Sequence, residues 1–243
     1  EGEDGKWIFA IPGVPREMKA MFDGGIVPIL LENHEGVRQI IVSRVLRAFG
    51  IGESSLADPI EDILTTATNP TVAPLIFGNT EVHLRLTAKA KTAEEAKVLL
   101  DGVDAQIRER VGEYIFGIDD QTVPSVTVAA LQAKGATLAV AESLTGGSLS
   151  SFITDVPGSS AVFLGGVVAY HADLKKEILH VPAAYIDEYS VVSAEAASAM
   201  AEGALRLTGA DYALATTGEA GPLSATGQPV GTVFLALAHA GGV

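Results

Sequence analysis

Ser143 sits where the chain changes character. The apolar run through Ala139-Val140-Ala141 stops at Glu142-Ser143-Leu144-Thr145-Gly146-Gly147, a set of small and hydroxylated residues. That order predicts a strand end, a tight turn and a helix start. Such a turn exposes a hydroxyl beside unpaired backbone N–H groups, which suits a nucleophile next to an oxyanion or phosphate site. A serine nucleophile needs a base, and the choice is narrow. Residues 119–243 hold four basic side chains, Lys134, Lys175, Lys176 and Arg206, and two histidines ahead of the last apolar run, His171 and His180. His171 has only Asp173 to orient it. Lys175 acts as a base only when neutral, so desolvation must bring its pKa from about 10.4 toward about 7–8. The competing reading leaves Lys175 and Lys176 solvated on the first turns of a helix. Tyr170 is either a core aromatic or a hydroxyl that relays a proton.

Two further loops have the same polar, small-residue character. One carries Tyr170, His171, Asp173 and Lys175; the other is Thr216-Thr217-Gly218-Glu219-Ala220-Gly221-Pro222. Each follows an apolar run. The implied order is helix (Val123–Lys134, stopped by Gly135), strand (Thr137–Ala141), helix (Thr145–Thr154), strand (Ala161–Tyr170) and helix (Asp173–Leu179). A helix from the N-cap Ser193 to Gly209 follows, then strands Tyr212–Thr216 and Gly231–Ala238. Buried strands alternating with amphipathic helices predict a three-layer α/β domain, whose sites lie at strand ends. Three such loops can therefore share one pocket. A short-chain dehydrogenase also uses Ser, Tyr and Lys, but needs Tyr and Lys four residues apart; that position is Leu174, and no GxGxxG opens the domain. The five histidines show no HxH or HxxxH spacing, so a hydrolytic metal centre is not expected.

Upstream, residues 38–118 read as an α+β unit. Val82, Leu84, Leu86 and Ala88 alternate with polar residues as in a half-buried strand. Thr92-Ala93-Glu94-Glu95 reads as a capping box, followed by a helix with Ala96, Leu99, Leu100, Val103, Ile107 and Val111 inward and Gly112 as its stop. Arg44 and Arg47 precede the glycine loop Phe49–Ser54, a hint of RNA that the acidic balance argues against. The net charge is −14, with twelve acidic and four basic residues beyond position 118. Non-specific nucleic-acid binding needs the opposite sign. Residues 1–37 hold an apolar run, Trp7–Ile11, a Pro12-Gly13-Val14-Pro15 turn, and a helix with Met18, Met21 and Phe22 on one face. There is no cysteine, hence no disulfide or thiolate chemistry. No membrane helix or signal peptide is expected. The first residue is Glu1 and the last apolar run nearly reaches Val243, so a fragment of a longer protein is expected.

The motifs taken together resemble the competence/damage-inducible protein A (CinA) family. Ala141–Gly147, Asp155-Val156-Pro157-Gly158-Ser159-Ser160, Leu164–Tyr170, Thr217–Pro222 and Pro229–Val233 are similar to its C-terminal nicotinamide-nucleotide amidase domain. Arg47–Ser54 and Asn69–Ala90 resemble its KH-like middle domain. Ile11–Met18 resembles the end of its molybdopterin-binding-like N-terminal domain. The resemblance implies three stretches: 1–37, the end of the molybdopterin-binding-like domain; 38–118, the KH-like α+β domain; and 119–243, the three-layer amidase domain, incomplete at its C-terminus. It implies hydrolysis of the carboxamide of nicotinamide mononucleotide to nicotinate mononucleotide and ammonia. Ser143 would be the nucleophile, Lys175 the general base and Tyr170 an assisting hydroxyl. Backbone groups around Thr145, Gly146 and Gly147, and around Thr217, Gly218 and Gly221, would hold the oxyanion and the nucleotide. No cofactor is implied for this reaction; a divalent metal belongs to the mostly missing N-terminal domain, to which an ADP-ribose pyrophosphatase activity is attributed. That activity, or nucleotide binding without catalysis, is the alternative function. The implied setting is a cytoplasmic homodimer acting on a small nucleotide, with no nucleic acid or membrane. Glu219 departs from the pattern, which has an apolar residue there. Its charge is expected to alter the loop or to sit in solvent.

Overall fold

The computed structural model describes residues 7–32, 39–77 and 81–243. The chain divides into two units, Glu1–Asp119 and Asp120–Val243. Of the expected 1–37 stretch, residues 1–6 and 33–37 lie outside the described residues, as do 38 and 78–80.

The first unit opens with two short helices, α1 (Pro15–Met21) and α2 (Val27–Glu32), joined by one wide turn. The helical reading holds, and the Trp7–Ile11 run is irregular backbone. Met21 and Phe22 are exposed, and Ile26 is the buried residue of this stretch. The α+β part follows as β1 (Ile40–Phe49), α3 (Glu53–Ala57), α4 (Glu61–Thr66), β2 (Thr71–Phe77), β3 (Glu81–Ala90), α5 (Ala93–Val111) and β4 (Ile115–Ile118). Its sheet has the order β2-β3-β1-β4, with every pair antiparallel. Alternation places Val82, Leu84, Leu86 and Ala88 in a core with Leu100, Ile107 and Val111 of α5. The Thr92 hydroxyl accepts from the Glu95 N–H, while the Glu95 carboxylate accepts from Lys91 N–H, one residue earlier than a capping box requires. Gly112 stays right-handed (φ −62°) and leads into a 3₁₀ turn, so it does not end α5 as a left-handed stop. Arg44 pairs with Asp101 and Asp104 of α5, and Arg47 with Glu81. Both arginines are thus held in ion pairs with carboxylates of the same unit.

The second unit contains α6 (Val123–Lys134), β5 (Leu138–Glu142), α7 (Ser148–Thr154), β6 (Phe163–Val168), α8 (Ala172–Glu177), α9 (Ala183–Tyr189), α10 (Ala194–Thr208), β7 (Tyr212–Gly218) and β8 (Val233–His239). The sheet order is β6-β5-β7-β8, parallel except for the β7/β8 pair. One apolar layer joins α6 and α7 to Leu138 and Val140. Another joins α10 to Ala141, Ala213, Ala215, Ala236 and Ala238. The domain thus has the three layers expected from the sequence. Helix α10 packs tightly because its buried face is small. A Cβ on Gly203 would stand 2.1 Å from the carbonyl oxygen of Leu179. Parallel pairing sets Glu142 beside Val168 and Thr216, so β5, β6 and β7 end at one edge of the sheet.

Candidate active site

Ser143 leaves β5 with its N–H still donating to the Thr216 carbonyl at 3.0 Å. The chain then turns: Gly146 N–H donates to the Ser143 carbonyl, and Gly146 and Gly147 take φ of +60° and +104°. These left-handed conformations favour glycine and delay α7 to Ser148, three residues after the expected start. On the neighbouring strand, Ala169 N–H donates to the Glu142 carbonyl at 2.8 Å. The backbone thereby fixes the ends of β5, β6 and β7 against one another.

Lys175 lies on α8 and is 2 % exposed. Its Nζ is 2.9 Å from Ser143 Oγ, 2.7 Å from the Ala169 carbonyl and 3.5 Å from the Tyr170 carbonyl. No carboxylate pairs with it among the described residues. Burial therefore acts alone, and it lowers the lysine pKa to about 8. Two of the three neighbours are carbonyl oxygens, which only accept. A neutral amine directs its N–H bonds to them and keeps its lone pair for the Ser143 hydroxyl. Val181 N–H donates to the Lys175 carbonyl, in the turn that α10 approaches through Gly203.

The other candidates divide. The His171 side chain is 75 % exposed and pairs with Asp173, so the structure brings Lys175 and not His171 to Ser143. Tyr170 is 70 % exposed; its carbonyl faces the amine, and no hydrogen bond joins its hydroxyl to Ser143 or Lys175. Thr145 Oγ1 is 2.9 Å from Thr216 Oγ1. The Thr217 hydroxyl is buried and donates to the Val191 carbonyl at 2.7 Å. Gly218 is needed for close approach, since a Cβ there would meet the Thr232 carbonyl at 2.7 Å and Leu144 Cδ1 at 2.9 Å. Gly221 turns the following loop at φ +82° against Val230.

Two expectations are corrected. The Gly146 and Gly147 N–H groups do not await an anion. Gly146 N–H serves the turn, and Gly147 N–H donates to the Glu142 carboxylate at 3.0 Å. The N–H groups of Leu144 and Thr145, by contrast, donate to no acceptor among the described residues. They directly follow Ser143, where donors for a developing oxyanion belong. Glu219 neither disrupts its loop nor sits in solvent. It is 7 % exposed, and its carboxylate accepts from the Thr226 N–H and hydroxyl at 3.1 and 2.8 Å. Sequence reasoning also missed Glu142. A glutamate after four apolar residues reads as the polar end of a strand, yet it is fully buried.

No group of His, Asp and Glu among the described residues could hold a metal ion, and no helix there is long and apolar enough to cross a membrane.

Comparison with known proteins places these elements. Residues 120–243 match the family model of the CinA C-terminal domain, and residues 43–117 that of the damage-inducible protein CinA KH domain. A CinA-like protein of Parasynechococcus marenigrum (strain WH8102) is 47 % identical over 95 % of this chain and 54 % of its own length. One from Dictyoglomus turgidum (strain DSM 6724 / Z-1310) is 42 % identical over 97 % of this chain and 56 % of its own. The chain thus spans about half the length of the curated relatives it matches. Among solved structures, the competence/damage inducible protein CihA from Agrobacterium tumefaciens aligns with a TM-score of 0.48 and 36 % identity. That alignment covers 49 % of this chain and 73 % of the other.

Proposed function

The chain belongs to the CinA family, and from that premise we propose that its second unit is a Ser/Lys amidohydrolase acting on the carboxamide of nicotinamide mononucleotide. The observation that carries this reading is the 2.9 Å approach of a buried lysine amine, with pKa lowered to about 8, to Ser143 Oγ. In the neutral state Lys175 takes the Ser143 proton as Oγ bonds to the amide carbon. The carbonyl electrons move onto oxygen, which the free N–H groups of Leu144 and Thr145 receive. Lys175, now an ammonium, returns the proton to the departing nitrogen, and ammonia leaves an acyl-serine. Water then attacks, with Lys175 as base, and releases the nicotinate product and the serine.

Three features support the assignment of roles. The carbonyls of Ala169 and Tyr170 accept from the amine beside the serine. Among the described residues no competing base is hydrogen-bonded to Ser143. The exposed Tyr170 hydroxyl has room to meet a bound substrate, which is how an assisting role would be exercised. The test is ammonia release from nicotinamide mononucleotide by the full-length protein, with Ser143→Ala and Lys175→Ala beside it. Activity that survives both changes would end the proposal.

A further inference from the structure

The residue before the serine is the least expected charge in the molecule. Glu142 is 0 % exposed, and among the described residues no basic side chain pairs with it. An isolated buried carboxylate is strongly disfavoured unless hydrogen bonds replace its water. Here every polar group facing it is a donor. Oε2 accepts from the N–H groups of Gly147 and Leu149, each at 3.0 Å. Oε1 accepts from the Ser150 N–H at 2.8 Å and the Ser150 hydroxyl at 2.6 Å. Burial alone would push the Glu142 pKa up, but the Ser150 and Thr145 hydroxyls and the backbone N–H groups outweigh it and hold the carboxyl below its ordinary value.

These bonds tie the end of β5 to the first turn of α7 and close the turn carrying Ser143, Leu144 and Thr145 into a fixed loop. The Glu142 carbonyl also receives Ala169 N–H, and the Ala169 carbonyl receives the Lys175 amine. One residue therefore braces both halves of the dyad, through its side chain on one side and its backbone on the other. It also consumes the α7 N–H donors, so the donors left beside Ser143 are those of Leu144 and Thr145.

We propose that Glu142 is a positioning residue whose ionised carboxylate sets the Ser143 turn and aims the Leu144 and Thr145 N–H groups at the oxyanion. The inference rests on the Ser143/Lys175 amidase reading. Glutamine, though isosteric, fails in this role. Its single oxygen cannot serve all the donors, and its NH₂ would face at least one backbone N–H, with the Ser150 hydroxyl alone able to turn and accept.

The experiment compares the full-length wild type with Glu142→Gln and Ser150→Ala. Two readouts are used: turnover of nicotinamide mononucleotide, and the rate at which a small neutral fluorophosphonate labels Ser143. For Glu142→Gln, kcat and the labelling rate should fall together by about 10- to 100-fold, with KM within about threefold of wild type. The midpoint of the rising pH limb should stay in place, because Lys175 is untouched. Ser150→Ala removes one bond and should show the same pattern at about 3- to 10-fold, which covers the case of an unfolded Glu142→Gln. Wild-type rates in folded Glu142→Gln, or in Ser150→Ala if Glu142→Gln does not fold, would overturn the inference, as would a loss confined to KM. A wild type that is labelled at Ser143 yet releases no ammonia would overturn the amidase reading alone, and the labelling rates would still judge Glu142. A wild type neither labelled nor active would overturn both.

Discussion

Lys175 Nζ stands 2.9 Å from Ser143 Oγ across 32 positions of sequence, and no carboxylate among the described residues shares the lysine. With a pKa near 8, about a tenth of the molecules hold the neutral amine at pH 7 and half at pH 8. Activity should rise about tenfold per pH unit below 7 and level off above 9. Lys175→Arg cannot deprotonate in this range and should lose about a thousandfold or more. A pH–rate profile of the full-length enzyme checks both; a flat profile from pH 6 to 9 would remove lysine as the base.

The same lysine should cost stability. Unfolded, it keeps its proton to about pH 10.4; folded, only to about 8. Between those values the unfolded chain binds more protons, so stability rises with pH through that window. Below pH 8 the burial cost is fully present. Lys175→Met removes it and should melt higher than the wild type at pH 6–7, by on the order of 2 kcal/mol. The advantage should shrink as pH approaches 10. Thermal melts across this range test the sign, and a gap that widens with pH would contradict it.

Gly203 should tolerate no side chain. The obstacle to a Cβ is a backbone carbonyl, 2.1 Å away, not a movable side chain. Gly203→Ala should lose about 2–4 kcal/mol by forcing α10 off the Leu179–Val181 turn. That turn meets the Lys175 backbone, so the pH–rate midpoint should shift as well. Denaturant unfolding and the pH profile measure the two effects; an unchanged unfolding midpoint would show that α10 yields freely.

Glu219 should hold its loop only while ionised. Its carboxyl lies below its ordinary pKa, chiefly through the Thr226 hydroxyl and the Ala225 N–H. The stabilisation is therefore present above the usual carboxylate range and is lost as pH falls through the lowered value. Glu219→Ala should expose residues 220–230 to limited proteolysis at neutral pH, while fluorophosphonate labelling of Ser143 remains. Protection equal to wild type would mean that other contacts hold the loop.

Much of this architecture was readable before the structure. Gly135 stops α6, and Ser193 and Gly209 bracket α10, because capping hydroxyls and left-handed glycines act within a few residues. What escaped depends on distant partners. Nothing local marks Lys175 as buried; its amine partners, Ser143 and the Ala169 carbonyl, lie just past the ends of β5 and β6. Glu142 and Glu219 read as solvated charges because their donors come from later turns. Helix α9 was missed because seven residues give too short a period to recognise.

The lone amine also gives the site a thermal signature. Removing a proton from an ammonium absorbs heat, whereas ionising a carboxylic acid is nearly athermal. Warming therefore moves the Lys175 midpoint toward lower pH and raises the neutral fraction at fixed pH. Part of any activation enthalpy measured at pH 7 would then be heat of ionisation, not a barrier to bond making. Repeating the profile at two temperatures would separate them: the acidic limb should slide while the plateau reports the chemistry.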